Sequence, residues 1–317
     1  VNIPEALDII GQDVKPVNVA VLDTGSPLSI DPAYKRSIFD TQWGWDMVDN
    51  DALADDDEFP NGSFSHGTHV GSTISMLNDG LDGNGMAARV TPIRVCAGGC
   101  PGSATYGAYL YLNGDANDSL TTFAQRSAGQ KLHSVNMSYG GSGGSATSAS
   151  CVKLGELADR GVLIASSSGN SGIGSVGWPS SCPKVYSVGA TNGTDRRSSY
   201  SSTNEYVAFS APGGEYSDWN ADGIDDLVYA YARDNSYVQS NNNGNPMIGA
   251  QGTSMASPHG AGFLGLIKYY YEDIVKPFES NTTLPSSLTY VEVDKMLAAN
   301  LLTNCLLYTS PSPRDWL

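Results

Sequence analysis

Val17-Asn18-Val19-Ala20-Val21-Leu22-Asp23-Thr24-Gly25 is the stretch from which the rest of the chain can be read. It is a short, nearly continuous apolar run that stops at an acid and a glycine. Such a run is predicted to be a strand buried on both faces, the usual state of strands in a parallel sheet covered by helices. A carboxylate at the end of a buried strand is costly unless paired. Asp23 is therefore either a turn former or one half of a pair.

Working outward, similar strand patterns lie at 90–95, 134–138, 162–166 and 185–188. Between them the apolar spacing predicts helices over 66–77, 103–112, 118–127 and 147–160. Ile3, Ala6, Leu7 and Ile10 have helical spacing, with Pro4 suited to a first turn. A long apolar segment at 253–271 reads as a buried helix, and a last helix is expected around 290–300. Strands alternating with helices predict an α/β fold with three layers, a mostly parallel central sheet and helices on both faces. No internal repeat and no Pro- or Ser-rich linker divides the 317 residues, so one domain is expected.

The net charge of −16, from 33 acidic against 17 basic residues, sets the partners. Such a surface repels phosphate backbones and anionic headgroups, which excludes nucleic-acid binding and polybasic membrane anchoring. No stretch approaches the roughly 18 apolar residues that span a bilayer. No charged n-region precedes an apolar core as in a signal peptide. The chain starts at Val1, so a mature form or a fragment is expected.

Acyl transfer at neutral pH needs a nucleophile, a base, an acid to orient the base, and donors for the oxyanion. Ser254, in Gly252-Thr253-Ser254-Met255-Ala256-Ser257-Pro258, stands where the apolar helix begins. Free N–H groups and the positive dipole end favour negative charge there. Taken alone, a serine in that place is more often a simple cap. His66, in Ser65-His66-Gly67-Thr68-His69-Val70, is the candidate base. The pair His66 and His69 lacks the Glu and the four-residue spacing of a zinc helix, so His69 is expected to pack on the helix. Asn170, in Ser166-Ser167-Ser168-Gly169-Asn170, offers a side-chain amide to an oxyanion, with the Ser254 N–H as second donor. On its own it reads equally as a turn residue.

Together these blocks are specific. VAVLDTG, HGTHV, SSGN and GTSMASPHGAG occur in the order Asp, His, Asn, Ser and resemble the signatures of the subtilisin-like (subtilase) serine protease family. The order Asp, His, Ser is the subtilisin order. The similarity runs from about Val1 to Leu302 and includes PIRV at 92–95 and NMSYGG at 136–141. The resemblance implies a secreted, monomeric serine endopeptidase that cuts protein and peptide substrates with broad specificity. It implies Ser254 as nucleophile, His66 as base, Asp23 as orienting acid and Asn170 as oxyanion donor. It also implies an N-terminal propeptide and no cofactor for the chemistry. Ser138, Tyr139 and Gly140 resemble a backbone edge that pairs with an extended substrate, and Ser168 and Gly169 are expected to bind substrate as well. Gly71-Ser72-Thr73 and the serines before Gly169 depart from the commoner family residues without removing a reacting atom. The stretches 113–130 and 215–245 depart further.

Two other motifs fail on context. Gly140-Gly141-Ser142-Gly143-Gly144 fits a hydrolase elbow, but no helix follows the serine at once. Gly83-Asn84-Gly85-Met86-Ala87-Ala88 fits a dinucleotide loop, yet it precedes a strand. A third, in the loop 218–226, places Asp218, Asn220, Asp222 and Asp226 at positions 1, 3, 5 and 9 of an EF-hand-like loop, with Gly223 at 6 and Ile224 at 7. A structural Ca²⁺ is the expectation there, although Tyr229 stands where the bidentate Glu belongs. Asp55-Asp56-Asp57-Glu58 reads as a charged loop.

Five cysteines are present. Cys305 opens CLLYTSPSPRD, which resembles a translated sequencing adapter. Residues 305–317 are therefore set aside as a non-native tail, and 1–304 are expected to be one peptidase domain truncated at its C terminus. The four remaining cysteines suit an oxidising compartment. Family resemblance implies Cys151–Cys182, and Cys96–Cys100 is a second candidate pair.

Overall fold

The computed structural model describes residues 17–27, 43–56, 64–75, 88–115, 131–142, 144–219, 221, 223–232, 239–240, 246–278 and 285–299. Seven strands form one sheet: β1 (Val17–Asp23), β2 (Trp45–Asp46), β3 (Ala88–Arg94), β4 (Ser134–Met137), β5 (Leu163–Ser167), β6 (Val185–Thr191) and β7 (Val207–Pro212). Their order is β2-β3-β1-β4-β5-β6-β7, and every neighbouring pair is parallel. The chain passes from β1 to β3 on one side and returns to β4 on the other. Such a reversal opens a crevice at the C-terminal strand ends. A second sheet, antiparallel, joins β8 (Val228–Tyr231), β10 (Pro246–Ala250) and β9 (Gln239–Ser240).

The opening stretch shows why two layers of helix are needed. Val17, Val19 and Val21 enter one apolar cluster, and Ala20 and Leu22 enter the other. Side chains alternate across a strand, so each face needs its own cover. On the first face lie α1 (His66–Ser75) and α4 (Thr253–Tyr269); on the second lie α2 (Gly102–Asn113) and α3 (Ala149–Asp159). A last helix, α5 (Tyr290–Ala298), starts at a capping box of Thr289 and Glu292. The central helix α4 presses close to the sheet. A Cβ on Gly265 would lie 2.7 Å from Val17 Cγ1, and one on Gly260 2.9 Å from Phe209. Only glycine admits that approach.

The expected three-layer α/β fold is therefore the fold observed. Differences lie at the margins. Helix α4 ends at Tyr269, and the chain continues as a π-helical turn, Tyr270–Val275, and a short 3₁₀ turn, Lys276–Phe278. There the buried Lys268 Nζ bonds Glu272 Oε1 at 2.5 Å and the Leu288 carbonyl at 3.0 Å, a tether the apolar spacing could not show. Strands β2 and β7 and the small sheet carry too little unbroken apolar run to be read beforehand. The helices expected near 3–10 and 118–127, the end of 66–77, and the tail 305–317 lie outside the described residues. Both expected disulfides are present, Cys96–Cys100 with Cα atoms 4.0 Å apart and Cys151–Cys182 at 5.2 Å. Among the described residues, no helix is long and apolar enough to cross a membrane.

Candidate active site

β1, β4 and β5 end side by side, and the polar residues picked out above follow those ends. Asp23 closes β1 and is almost wholly buried. Its Oδ1 accepts from the Thr24 N–H at 2.8 Å and from His66 Nδ1 at 2.7 Å. A carboxylate can only accept, so Nδ1 carries the proton and Nε2 is left as the basic nitrogen. The His66 side chain is 27% exposed against 2% for Asp23, so the acid lies behind and the imidazole reaches outward. Phe64 stands edge-on to the His66 ring, with centroids 6.0 Å apart.

Ser254 lies in the first turn of α4, after Gly252 at φ 150°. The Gly252 N–H donates to Gly213 O at 2.9 Å and to Tyr200 Oη at 3.0 Å, so the turn before the serine is clamped. The Ser254 hydroxyl donates to the Ser138 carbonyl at 3.0 Å, and the Ser138 hydroxyl donates back to the Ser254 carbonyl at 2.8 Å. Beneath this pair, Ser257 Oγ donates to Asn136 Oδ1 at 2.7 Å, and Asn136 Nδ2 donates to Ser138 Oγ at 2.9 Å. All three supporting side chains are buried. The network ties the end of β4 to the start of α4.

Asn170 is exposed beyond β5. Its Oδ1 accepts from Thr253 N and from Thr253 Oγ1, each at 2.9 Å. With the oxygen so engaged, the amide orientation is settled and Nδ2 is the end available to donate outward. Thr253 Oγ1 in turn accepts from the Gly169 N–H at 3.1 Å. Sequence reading gave Thr253, Thr24 and Asn136 no role in the site, because each has a partner distant in the chain, Asn170, Gly67 and Ser257 in turn.

The segment Ser138-Tyr139-Gly140 continues beyond β4, with Ser138 buried and Gly140 exposed. Gly141 and Trp178 exchange main-chain bonds at 2.9 Å, so the edge is already paired from that point. Tyr139 and Tyr109 join hydroxyls at 2.9 Å. Ser168 is fully buried and donates to the Ser202 carbonyl at 3.0 Å, so its side chain braces that loop. Gly169 has φ 107°, a conformation that favours glycine.

His69 packs inside as expected but reaches further than its own helix. Its Nε2–H donates to the carbonyls of Val228 at 3.1 Å and Ile248 at 3.0 Å, which pins the small sheet to α1. Burial pushes its pKa down to about 4, so it is neutral. In the acidic loop, Asp218 Oδ2 accepts from Gly223 N and Asp226 Oδ2 from Trp219 N, each at 2.8 Å. Asn220 and Asp222 lie outside the described residues, and among those described no three acidic, imidazole or thiol groups converge as metal ligands. The expectation of a plain charged loop at 55–58 is corrected at Asp56. That residue is fully buried and bonded to Thr68.

A parallel α/β sheet with a paired Asp and His, a serine at a helix start and an amide beside it is the arrangement of a subtilisin-like fold. The family profile described as the Subtilase family matches residues 15–298. The chain belongs to the subtilase family. It is 31% identical to Subtilisin Savinase of Lederbergia lenta over 255 residues, 80% of this chain and 76% of that one. It is 33% identical to Alkaline elastase YaB of Bacillus sp. (strain YaB) over 203 residues, 64% of this chain and 44% of that one. M-protease of Shouchella clausii is 31% identical, with 80% of this chain and 54% of that protein covered. The chain thus spans about half the length of several curated relatives that it matches. Among solved structures, a cold adapted subtilisin-like serine proteinase superposes with a TM-score of 0.60 at 25% identity, covering 89% of this chain and 81% of that one.

Proposed function

We propose that the chain is a secreted, monomeric serine endopeptidase of broad specificity, with Asp23, His66 and Ser254 as its triad. The observation that carries this is the 2.7 Å contact between buried Asp23 and His66 Nδ1, which leaves Nε2 as base on the side open to solvent. In the proposed reaction Ser254 Oγ bonds to the scissile carbonyl carbon as its proton passes to His66 Nε2. Asn170 Nδ2 and the Ser254 N–H stabilise the oxyanion. His66 then returns the proton to the leaving amide nitrogen as the C–N bond breaks. Water, deprotonated in the same way, releases the acyl group. Asp23 stays ionised throughout and holds the imidazole's tautomer.

Ser138, Tyr139 and Gly140 offer main chain to an extended substrate, with Gly169 and the backbone of Ser168 opposite. Recognition of main chain gives breadth. Secretion agrees with the two disulfides. A propeptide partner during folding, and a single peptidase domain over 1–304 with 305–317 outside it, belong to the same proposal. No cofactor enters the chemistry. A structural Ca²⁺ in the loop 218–226 is supported by the spacing of Asp218, Asn220, Asp222 and Asp226 and by Gly223 at φ 90°.

The test is Ser254→Ala on the whole chain. It is expected to fold as the parent does and to lose peptide cleavage by at least about 10³-fold, the scale of triad removal in this class. Undiminished cleavage by that variant, or a parent protein that no serine-directed covalent inhibitor labels, overturns the reading.

A further inference from the structure

Outside the proposed triad, one buried ionisable side chain grips the helix that begins with His66. Asp56 has no solvent exposure. Its Oδ2 accepts from the Thr68 N–H at 3.2 Å and from Thr68 Oγ1 at 2.7 Å. Thr68 is in the first turn of α1, two residues after His66. The main chain of Asp56 is fastened as well. Its N–H donates to Ser26 O at 2.9 Å, and Ser26 N donates to Ala54 O at 3.0 Å. Ser26 is three residues past Asp23, so segment 54–56 is stitched to the continuation of β1.

A second clamp stands beside the first. Thr24 Oγ1 accepts from the Gly67 N–H at 2.8 Å. A Cβ on Gly67 would lie 2.5 Å from the Gly25 carbonyl, so the helix start is seated directly on the chain after Asp23. Two first-turn N–H groups of α1 are thus held by side chains whose own backbone is anchored to β1. A helix N-terminus leaves such donors unsatisfied, and a carboxylate meets both the donor and the dipole.

We infer that Asp56 is a positioning residue for His66: through Thr68 it fixes the first turn of α1 against the β1 end, and its charge favours the imidazolium formed during acyl transfer. The inference rests on the proposed role of His66 as base. It asks for two separable effects. Asparagine at 56 keeps an acceptor for Thr68 but removes the charge. Alanine removes both. Among the described residues, the titratable groups on the elements packed against α1 include Asp23 of β1, Arg89 and Arg94 of β3, His259, Lys268 and Tyr269 of α4, and Asp55 beside Asp56, with His69 on α1 itself. β8 contributes only Tyr229 and Tyr231. None of these is altered in the variants.

The experiment compares the parent, Asp56→Asn and Asp56→Ala at a temperature where each is folded, with active sites counted by a serine-directed inhibitor. Per active site, Asp56→Asn is expected to lower kcat about threefold to tenfold with KM within about twofold. Its acid limb of kcat/KM moves to lower pH, because a lost neighbouring carboxylate makes the imidazolium easier to deprotonate. Asp56→Ala is expected to lower kcat further, by up to about 10²-fold, the scale of a misplaced catalytic group. The His66 titration, followed by NMR without any turnover, should fall in Asp56→Asn as well. An unmoved His66 titration, or kcat per active site equal to the parent in both variants, overturns the inference and leaves Asp56 a stabilising cap. If Asp56→Ala does not fold, Asp56→Asn alone decides. An inactive parent whose His66 titration still shifts in Asp56→Asn overturns the peptidase reading and not the link between Asp56 and His66.

Discussion

Residues 46–56 carry five acidic side chains and residues 218–226 carry four, yet the two stretches use them differently. In the first stretch Asp46 and Asp56 are buried. Asp46 Oδ1 accepts from the N–H groups of Val48 at 2.7 Å and Asp49 at 2.9 Å, and its Oδ2 pairs with Arg94 at 2.7 Å. Asp56 holds α1. In the second stretch Asp218 and Asp225 are exposed, and Asp218 and Asp226 bond main chain of their own loop. Burying a charge is tolerated only where donors or a cation converge on it. The difference is therefore in what the fold aims at each carboxylate, not in the density of acids.

The largest expected effect that would break this contrast is at Asp46. Asp46→Ala removes the buried carboxylate that pairs with the buried Arg94 guanidinium at 2.7 Å, while the more exposed Asp49 stays at 2.6 Å. Losing one partner of a buried pair costs about 3 kcal/mol or more. Denaturant unfolding should show it. A loss below about 1 kcal/mol would mean that the interior acids are as dispensable as surface ones.

Next comes pH, which probes the same interior through its histidines. Burial pushes His69, His133 and His259 each down to about 4. Free imidazoles titrate near 6.5. Between those values the unfolded chain binds protons that the folded chain refuses. Stability is thus full above about pH 6.5 and falls as pH drops toward 4. The slope of unfolding free energy against pH should correspond to as many as three protons taken up on unfolding. A flat profile over that window would place these rings in wetter surroundings than the contacts described.

The smallest effect is expected at the outer loop. Without calcium, Asp218→Ala, at an exposed position of that loop, should change stability by no more than about 0.5 kcal/mol, as surface substitutions generally do. With Ca²⁺ added, calorimetry should detect binding to the parent that the variant lacks. No binding to the parent removes the calcium proposal and sharpens the contrast between the two acidic stretches.

Much was legible beforehand. The apolar run at 17–22 determined a doubly buried strand, because alternating side chains of one strand must be covered on both faces. The helix starts at His66 and Thr253 and the fold class followed from local patterns, and the residues of the proposed site from the resemblance of the motifs and their order. The pairing of Asp23 with His66 across 43 positions of sequence was already implied by the motif resemblance. Tertiary structure alone decided the other partners: Asp56 meets Thr68 across 12 positions, and His69 meets the carbonyls of Val228 and Ile248 across 159 and 179. Periodicity along a chain reports which face of an element is dry. It carries no information about which distant donor fills a buried acceptor, because that match exists only after the layers have closed.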